Sequence, residues 1–447
     1  MKWQKALLAA FALLLAAALT LPLFISFDDY IPQIEKAAAA RLKAPVSIKS
    51  IKFGALPLPH VTIDGIKVGT TDDVVLGKVR VTPDILSLLR TAKVIKSIEI
   101  ESLALTPAAI ESVPAWSKSE AASSPGEPSP LRVERILLNG AVVVSGNSRF
   151  GPFDARVDLD ANGEPAESSL TAQDGTFKAI IKPDQSNYLI DASAKAWTAP
   201  FGSPISFDEL TIKGTATRDD ATLSQVSAKL YGGTIEGNAV LNWHEGMQMH
   251  ANLDINRVET QKIAALLSPT ARVSGVLSGK AVLSASVPAA AQLVSALRLE
   301  MPFQVQDGVI HGVDIQKAAT SLIKQEATGG TTRFDQLSGH MVMEHGAYQF
   351  TQLKIASGAL VADGNVDVSP KKDLSGRVNV QVKALGSSTS VPLNVSGTLD
   401  APLLYPTGGT MAGAAVGTAI LGPGFGTSVG AKVGGWAERL LGKKTEK

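Results

Sequence analysis

The stretch FDARVDLDA (Phe153–Ala161) alternates between apolar and charged side chains over the length of a β-strand. Ala155, Val157 and Leu159 share one side, and charged residues share the other. Successive side chains of a strand point to opposite faces, so this stretch predicts a strand with one apolar and one polar face.

The same alternation recurs along most of the chain. YLIDASAKAW (Tyr188–Trp197) repeats it, and GRVNVQVKAL (Gly376–Leu385) places Val378, Val380 and Val382 on one face. Gly, Asn-Gly and Asp-Gly turns separate the strand patterns. The sequence therefore predicts a mainly β, antiparallel fold. Alternation fits a closed sandwich or barrel core as well as an open sheet whose apolar face lines a groove.

A few short helical patterns interrupt the strands. Apolar residues at helical spacing, with prolines near the ends, indicate them. The predicted intervals are Tyr30–Lys43, Pro83–Arg90, Glu259–Leu267, Pro288–Leu297 and Asp314–Lys324.

The N-terminus has the pattern of a membrane anchor. Lys2 and Lys5 precede an uncharged run from Ala6 to Phe27, which is long enough to span a bilayer. Positive charges before the run predict a cytoplasmic N-terminus and a body on the far side. A cleaved signal peptide is the alternative, with Ala16 and Ala18 as its site, but the apolar run continues through LTLPLFISF and favours an uncleaved anchor. The predicted anchor residues are Trp3, Leu7, Leu8, Phe11, Leu14, Leu15, Leu19, Leu23 and Phe24.

Composition excludes two classes of function. The formal net charge is +1, with 42 basic and 41 acidic residues, whereas a nucleic-acid partner would leave a basic excess. There is no Cys, so disulfides and thiolate–metal sites are excluded.

No catalytic arrangement emerges from the motifs. GTSVG (Gly426–Gly430) matches G-x-S-x-G, but no strand pattern precedes Ser428 and no His follows it. The histidines show no H-E-x-x-H spacing, and His340 and His345 fall on opposite faces of a predicted strand. No phosphate-binding glycine motif occurs. We therefore expect no enzyme activity, no metal and no cofactor, and a hydrolase is a distant third hypothesis.

Composition also divides the chain into segments. SKSEAASSPGEPSP (117–130) lacks periodicity and predicts a linker. The tail carries glycines at four-residue spacing and indicates either a membrane-touching hairpin or a flexible Gly-rich end. The predicted segments are 1–27 (cytoplasmic tip and anchor), 28–116, 117–130, 131–270, 271–406 and 407–447.

A resemblance to a known family rests on five motifs in order. The first is FDDYIPQIEKAAAARLKAPVSIKSIKF (Phe27–Phe53), in which Ala44 stands where a Gly is usual. LYGGTIEGNAVLNW, QDGVIHGVDIQKA, the segment beginning TRFDQLSGHM, and VPLNVSGTLDAPLLYP follow. Together they resemble the AsmA family of envelope proteins over nearly the whole chain. The junction residues that match are Asp29, Tyr30, Pro32, Ile34, Glu35, Pro45 and Val46.

The resemblance implies a protein anchored in the inner membrane of a Gram-negative envelope, with its body in the periplasm. It also implies a long curled β-sheet with an apolar groove, a chorein-like N-terminal region at 28–116, a β-repeat groove region at 131–270 and an AsmA-like region at 271–406. The expected role is in outer-membrane homeostasis and phospholipid movement, with phospholipids, the inner membrane and outer-membrane or other envelope proteins as partners, and no nucleic acid. An envelope scaffold that binds proteins without carrying lipid is the alternative. The candidate groove residues are Ala155, Val157, Leu159, Val378, Val380 and Val382.

The same resemblance suggests why the predicted anchor, helix and strand follow one another without a linker. A junction without a linker would hold the mouth of the groove against the bilayer. A flexible linker would lose that registration.

Overall fold

A computed structural model describes residues 28–407, apart from 72, 91, 107–108, 110–130, 146–147, 200–204, 268–272, 289–291, 321–328, 359 and 385–386. The predicted anchor (1–27), the predicted linker (117–130) and all but the first residue of the tail (407–447) lie outside the described residues. No helix in the described part is both long and apolar enough to cross a membrane.

The described residues form three α-helices, namely α1 (Ile31–Leu42), α2 (Thr260–Leu267) and α3 (Ile315–Thr320). Two 3-10 turns are found at Asp28–Tyr30 and Ile85–Leu89. Four of the five predicted helical intervals are thus confirmed, with shorter bounds. In the fifth, 289–291 lie outside the described residues, and the described part forms turns in which Gln292 and Val294 accept backbone hydrogen bonds from Ala296 and Leu297.

Most of the remaining described residues form strands. Their bounds are β1 (Val46–Gly54), β2 (His60–Val68), β3 (Val74–Pro83), β4 (Lys93–Leu105), β5 (Leu131–Val133), β6 (Arg135–Ser145), β7 (Ser148–Leu159), β8 (Pro165–Ala172), β9 (Phe177–Asp184), β10 (Asn187–Thr198), β11 (Ser206–Ala216), β12 (Asp220–Leu230), β13 (Gly233–Asn242), β14 (Met247–Glu259), β15 (Val273–Val287), β16 (Arg298–His311), β17 (Thr331–Glu344), β18 (Ala347–Ser357), β19 (Leu360–Val368), β20 (Leu374–Ala384), β21 (Ser387–Gly397) and β22 (Pro402–Pro406).

The chain divides into two compact units. Unit 1 contains β1 to β10, and unit 2 contains β12 to β22, while β11 has residues in both. In unit 1 consecutive strands pair in antiparallel fashion, except around β5, where β5 and β6 both pair with β4. In unit 2 all the pairings of consecutive strands are antiparallel. The predicted class, mainly β with long antiparallel sheets and few helices, is confirmed.

The exception corrects the expectation of a purely antiparallel sheet. β4 runs parallel to β5 and β6, with Ile98 opposite Ile136 and Ile100 opposite Leu138. A hairpin turn forces antiparallel pairing, whereas a parallel pair needs a connection of about a dozen residues or more. The connection between β4 and β5, residues 106–130, meets this requirement. The strands on either side of the predicted linker therefore pair with each other.

Candidate apolar groove

The junction between α1 and β1 is fixed by a contact from the helix to the strand. Glu35 Oε1 accepts a hydrogen bond of 2.7 Å from the backbone N–H of Ile48 in β1. β1 is an edge strand whose other side pairs with β2, so the carboxylate satisfies a donor that the sheet leaves open. Pro32 lies in the first turn of α1, and Lys43 ends the helix in a left-handed conformation with φ 52°. The chain thus turns directly from helix to strand.

The end of the junction is held by the sheet. The carbonyl of Pro45 accepts a 2.9 Å hydrogen bond from the N–H of Gly69, and Val46 packs with Leu42 against the buried side chains of Val68 and Val74. The matching junction residues nearest the N-terminus, by contrast, lie on the surface. These are Asp29, Tyr30 and Ile34.

Unit 1 carries an apolar face that extends from β1 to β10. Directly opposed residues of neighbouring strands form two rows on this face, each crossing nine strands. The Ile51 row consists of Ile51, Ile63, Val79, Ile100, Leu138, Ala155, Leu170, Ala179 and Ala192. The Phe53 row consists of Phe53, Val61, Val81, Ile98, Ile136, Val157, Ser168, Ile181 and Ile190.

The apolar face of unit 1 is only partly covered. Most side chains of the two rows are half-buried, and Leu170 keeps 38% of its surface exposed. Among the described residues, α1 is the α-helix that packs on this unit, and it contacts β1 at one edge. An apolar face that stays partly exposed over nine strands is uncommon on a soluble monomer and indicates a binding surface.

The opposite face of unit 1 is charged. Ion pairs link neighbouring strands along it, such as Lys78 with Glu101 at 3.0 Å and Arg80 with Glu99 at 3.2 Å. Further along, Asp158 receives one N–H from Arg156 at 2.7 Å and another from Arg135 at 2.6 Å. These guanidinium groups hold the pKa of the Asp158 carboxyl below its usual value, Arg156 having the larger effect. The sheet thus separates a wet, charged side from an apolar side.

Unit 2 repeats the same construction. The Leu223 row crosses nine strands through Leu223, Ala239, Ala251, Leu283, Leu299, Met343, Tyr348, Val368 and Leu374. The Val258 row crosses eight through Val258, Leu277, Val305, Leu337, Ile355, Ala362, Val380 and Val391. All seventeen side chains are apolar or aromatic, so this unit also presents an apolar face.

One end of the Val258 row is covered by a helix. α3 packs on β17, β20, β21 and β22, and its Ile315, Ala318 and Ala319 cluster with Val380 and Leu393, which are completely buried. The hydroxyl of Thr332 fixes the start of α3, because it accepts from the N–H of Ile315 at 2.9 Å and donates to the carbonyl of Val313 at 2.8 Å. The face is therefore closed under α3.

The middle of the Leu223 row is more open and rich in methionine and aromatic residues. Leu283, Leu299 and Met343 are half-buried. The ring of Phe350 lies 6.5 Å from that of Tyr348 and 6.1 Å from that of Phe303. Burial raises the pKa of Tyr348. Methionine adapts its shape to irregular apolar partners, which suits a surface that accepts flexible chains.

Sequence reasoning missed this methionine-rich part of the face. Five of the seven methionines of the chain lie in three strands. Two are in the stretch MQM of β14, two are in the stretch MVM of β17, and one is in β16. That period-two spacing is the signal that could have found them. They are Met247, Met249, Met301, Met341 and Met343.

The six candidate groove residues fall in different environments. Ala155 belongs to the Ile51 row and Val157 to the Phe53 row, and both are half-buried. Leu159 is half-buried at the end of β7, where its N–H bonds the carbonyl of Glu134. Val378 is half-buried and Val380 is covered by α3. The backbone of Val382 pairs with Thr389, but its side chain lies outside the described part. Lining of a lipid groove by these residues stays a prediction.

A depression of about 1120 Å³ also crosses unit 2, and polar, charged and apolar residues line it together. Asp254, Lys280, Lys354 and Asp363 contribute charges of both signs, and Lys280 pairs with Asp254 at 3.5 Å. Its walls combine side chains that alternate with the apolar rows and apolar side chains such as Ile255 and Phe303, which pack against the buried core of the same unit. The two apolar rows hold no charged side chain, so the apolar face is the better candidate site for an acyl chain.

Within the described ranges, no group of three or more His, Asp or Glu side chains could hold a metal ion. The histidines are dispersed: Nδ1 of His244 lies 3.2 Å from Asp219, and Nε2 of His340 lies 3.2 Å from Glu300. The GTSVG stretch lies outside the described residues.

Comparison with known proteins gives one match. Residues 204–353 match the model of the AsmA family. No curated protein and no solved structure matches the chain.

Proposed function

We propose, because residues 204–353 match the model of the AsmA family, that this protein is a membrane-anchored envelope protein that binds or conducts phospholipid acyl chains on its apolar faces. The family match supports an envelope-related function. The inner-membrane anchor, the periplasmic body and the lipid cargo are our proposals. The anchor rests on the uncharged run from Ala6 to Phe27.

The observation that carries the proposal is the unbroken apolar face of unit 1. The Ile51 row places an apolar side chain on every one of nine paired strands. Eight strand spacings of about 4.8 Å make this row about 38 Å long. That length exceeds the roughly 30 Å hydrocarbon thickness of a bilayer. The row can therefore accept whole acyl chains.

The physical basis of binding is burial of hydrocarbon. Each methylene group moved from water to the apolar face contributes about 0.8 kcal/mol, so ten methylenes contribute about 8 kcal/mol before the cost of ordering the chain. The opposite, ion-paired face remains in water. Headgroups stay solvated at the margin of the sheet, and no covalent bond is made or broken. We therefore propose a passive, non-enzymatic role.

The test is the lipid content of the purified full chain and of face-specific variants. Leu170→Asp adds a charge on the apolar face at a position that is already partly exposed, so the fold should survive. Ser169→Asp adds the same charge to the other face of β8 and serves as the matched control. We expect phospholipid bound to the wild type and to Ser169→Asp. We expect several-fold less on Leu170→Asp, with an unchanged melting temperature.

Two results would count against this function. Wild-type protein with no phospholipid above a detergent-only control would remove the lipid role. A stable complex with envelope proteins but without lipid would favour the scaffold alternative.

A further inference from the structure

Four large apolar side chains are exposed in two turns of unit 1. Leu56 and Leu58 lie in the turn between β1 and β2, and Ile85 and Leu86 lie in the turn between β3 and β4. Leu56 is 77% exposed and Leu86 is 67% exposed. Several large apolar side chains that are exposed close together indicate an interaction surface, whereas a single exposed leucine would not.

Strand register places both turns at the same end of the sheet. Gly54 pairs with His60 across the first turn, Val61 pairs with Val81, and Pro83 pairs with Ile95 beside the second. β2 and β3 are neighbours, so their turns are neighbours as well. We call Leu56, Leu58, Ile85 and Leu86 the apolar tip.

The apolar tip is continuous with the apolar face of unit 1. The Phe53 row begins with Phe53, Val61 and Val81. Phe53 and Val61 lie on either side of the first turn, and Val81 lies close before the second. A chain leaving the face at this end would therefore meet the tip without crossing a charged surface.

The direction of α1 places the first described residues at the same end of the sheet. Leu42, at the end of α1, packs near Val46, whereas Glu35 reaches Ile48 further along β1. The start of α1 therefore lies nearer the C-terminal end of β1 than the end of α1 does. Tyr30, in the 3-10 turn that precedes α1, is exposed. In the sequence, the uncharged run from Ala6 to Phe27 ends immediately before this 3-10 turn.

Basic residues flank the tip. Arg90, Lys93 and Lys96 are exposed in or beside the second turn, and Lys93 Nζ donates to the carbonyl of Arg90 at 2.6 Å. The nearby acid Asp84 caps the 3-10 turn by accepting from the N–H of Leu86. Lysine and arginine beside an apolar tip suit anionic lipid headgroups.

We propose that the apolar tip inserts into the bilayer that holds the N-terminal segment. Insertion would open the apolar face of unit 1 directly to the acyl chains of that leaflet. The proposal rests on the membrane anchoring in the proposed function, but it does not require lipid to travel along the sheet. The partner is a lipid surface, and the recognition is apolar insertion flanked by cationic residues.

The chain has no Cys, so single-cysteine variants report one position each. The full chain carrying Leu56→Cys or Leu86→Cys would be labelled with an environment-sensitive fluorophore and reconstituted into phosphatidylethanolamine–phosphatidylglycerol vesicles. Thr70→Cys is the control, because Thr70 is exposed in the β2–β3 turn at the opposite end of the strands.

We expect nitroxides attached to lipid acyl chains to quench the labels at positions 56 and 86 at least twofold more than the label at 70. Equal quenching at the three positions overturns the proposal. Shielding at 56 by a co-purifying protein, without quenching by lipid nitroxides, also overturns it. Bound phospholipid measured on the same samples reports the proposed function separately, so either idea can fail alone.

Discussion

Val380→Asp tests whether α3 covers the part of the apolar face around Val380, in contrast to the open part of that face. Val380 is completely buried on β20, between Ala362 and Val391 on the neighbouring strands and beneath α3. An aspartate here has no basic partner in the cluster. Desolvation should therefore raise the pKa of the new carboxyl and keep it neutral at pH 7.

The cost can be worked from this burial. The pKa of an aspartate in the unfolded chain is about 3.9, so its ionisation at pH 7 stabilises the unfolded state by the equivalent of about three pKa units, or about 4 kcal/mol. The folded state, whose buried carboxyl stays neutral, does not gain this free energy. Loss of the buried valine adds about 2 kcal/mol. The sum of about 6 kcal/mol is comparable to the whole stability of many domains, typically about 5–15 kcal/mol.

The assay is a thermal and urea melt at pH 7 and pH 4. We expect Val380→Asp to be unfolded or strongly destabilised at pH 7. Because the folded-state pKa is raised, the penalty should shrink as the pH falls toward the unfolded-state value. Gln381→Asp, one residue along on the exposed side, should melt like the wild type at both values. A Val380→Asp protein that melts normally at pH 7 would refute the covering by α3.

Three further predictions follow from other parts of the chain. Glu35→Ala leaves the N–H of Ile48 without its acceptor, so the junction should loosen and its amide should exchange faster, while Glu35→Gln should largely preserve protection. Asp158→Asn should lower stability by up to about 1 kcal/mol at pH 7 in urea unfolding. That difference should disappear as the pH falls below the depressed pKa of Asp158, since protonation already removes its charge-assisted bonds to Arg156. Ser428→Ala should leave cellular function unchanged, and a complete loss at normal protein level would revive the nucleophile hypothesis.

The sequence predicted the elements of the fold well, because they depend on local patterns. Period-two alternation located the strands, and prolines at both ends located α1. The Glu35 contact involves one of the residues by which the junction resembles the AsmA family.

The register of one strand against the next could not be predicted from the sequence. The apolar rows depend on register, which turns and bulges set. Arg257 and Gln352, for example, have positive φ angles beside register shifts in the β14–β15 and β18–β19 pairs. The parallel β4–β6 pair has the same non-local origin. So does the position of α3 over Val380, since these segments are far apart in sequence.

The apolar tip illustrates the same limit for the site. ALPLP (Ala55–Pro59) is visibly apolar in the sequence, yet apolar turns can be buried or exposed. Only the register of β1 to β4 shows that this turn lies beside that of Ile85 and Leu86.

The most direct test of the account is site-specific photo-crosslinking to lipid in intact cells. A photoreactive amino acid would replace Leu170 or Leu299 on the apolar faces, and Ser169 or Glu300 on the opposite faces of the same strands. The account predicts phospholipid adducts at Leu170 and Leu299, with little or none at their neighbours. Equal labelling of both faces, or adducts to protein alone at all four positions, would contradict it.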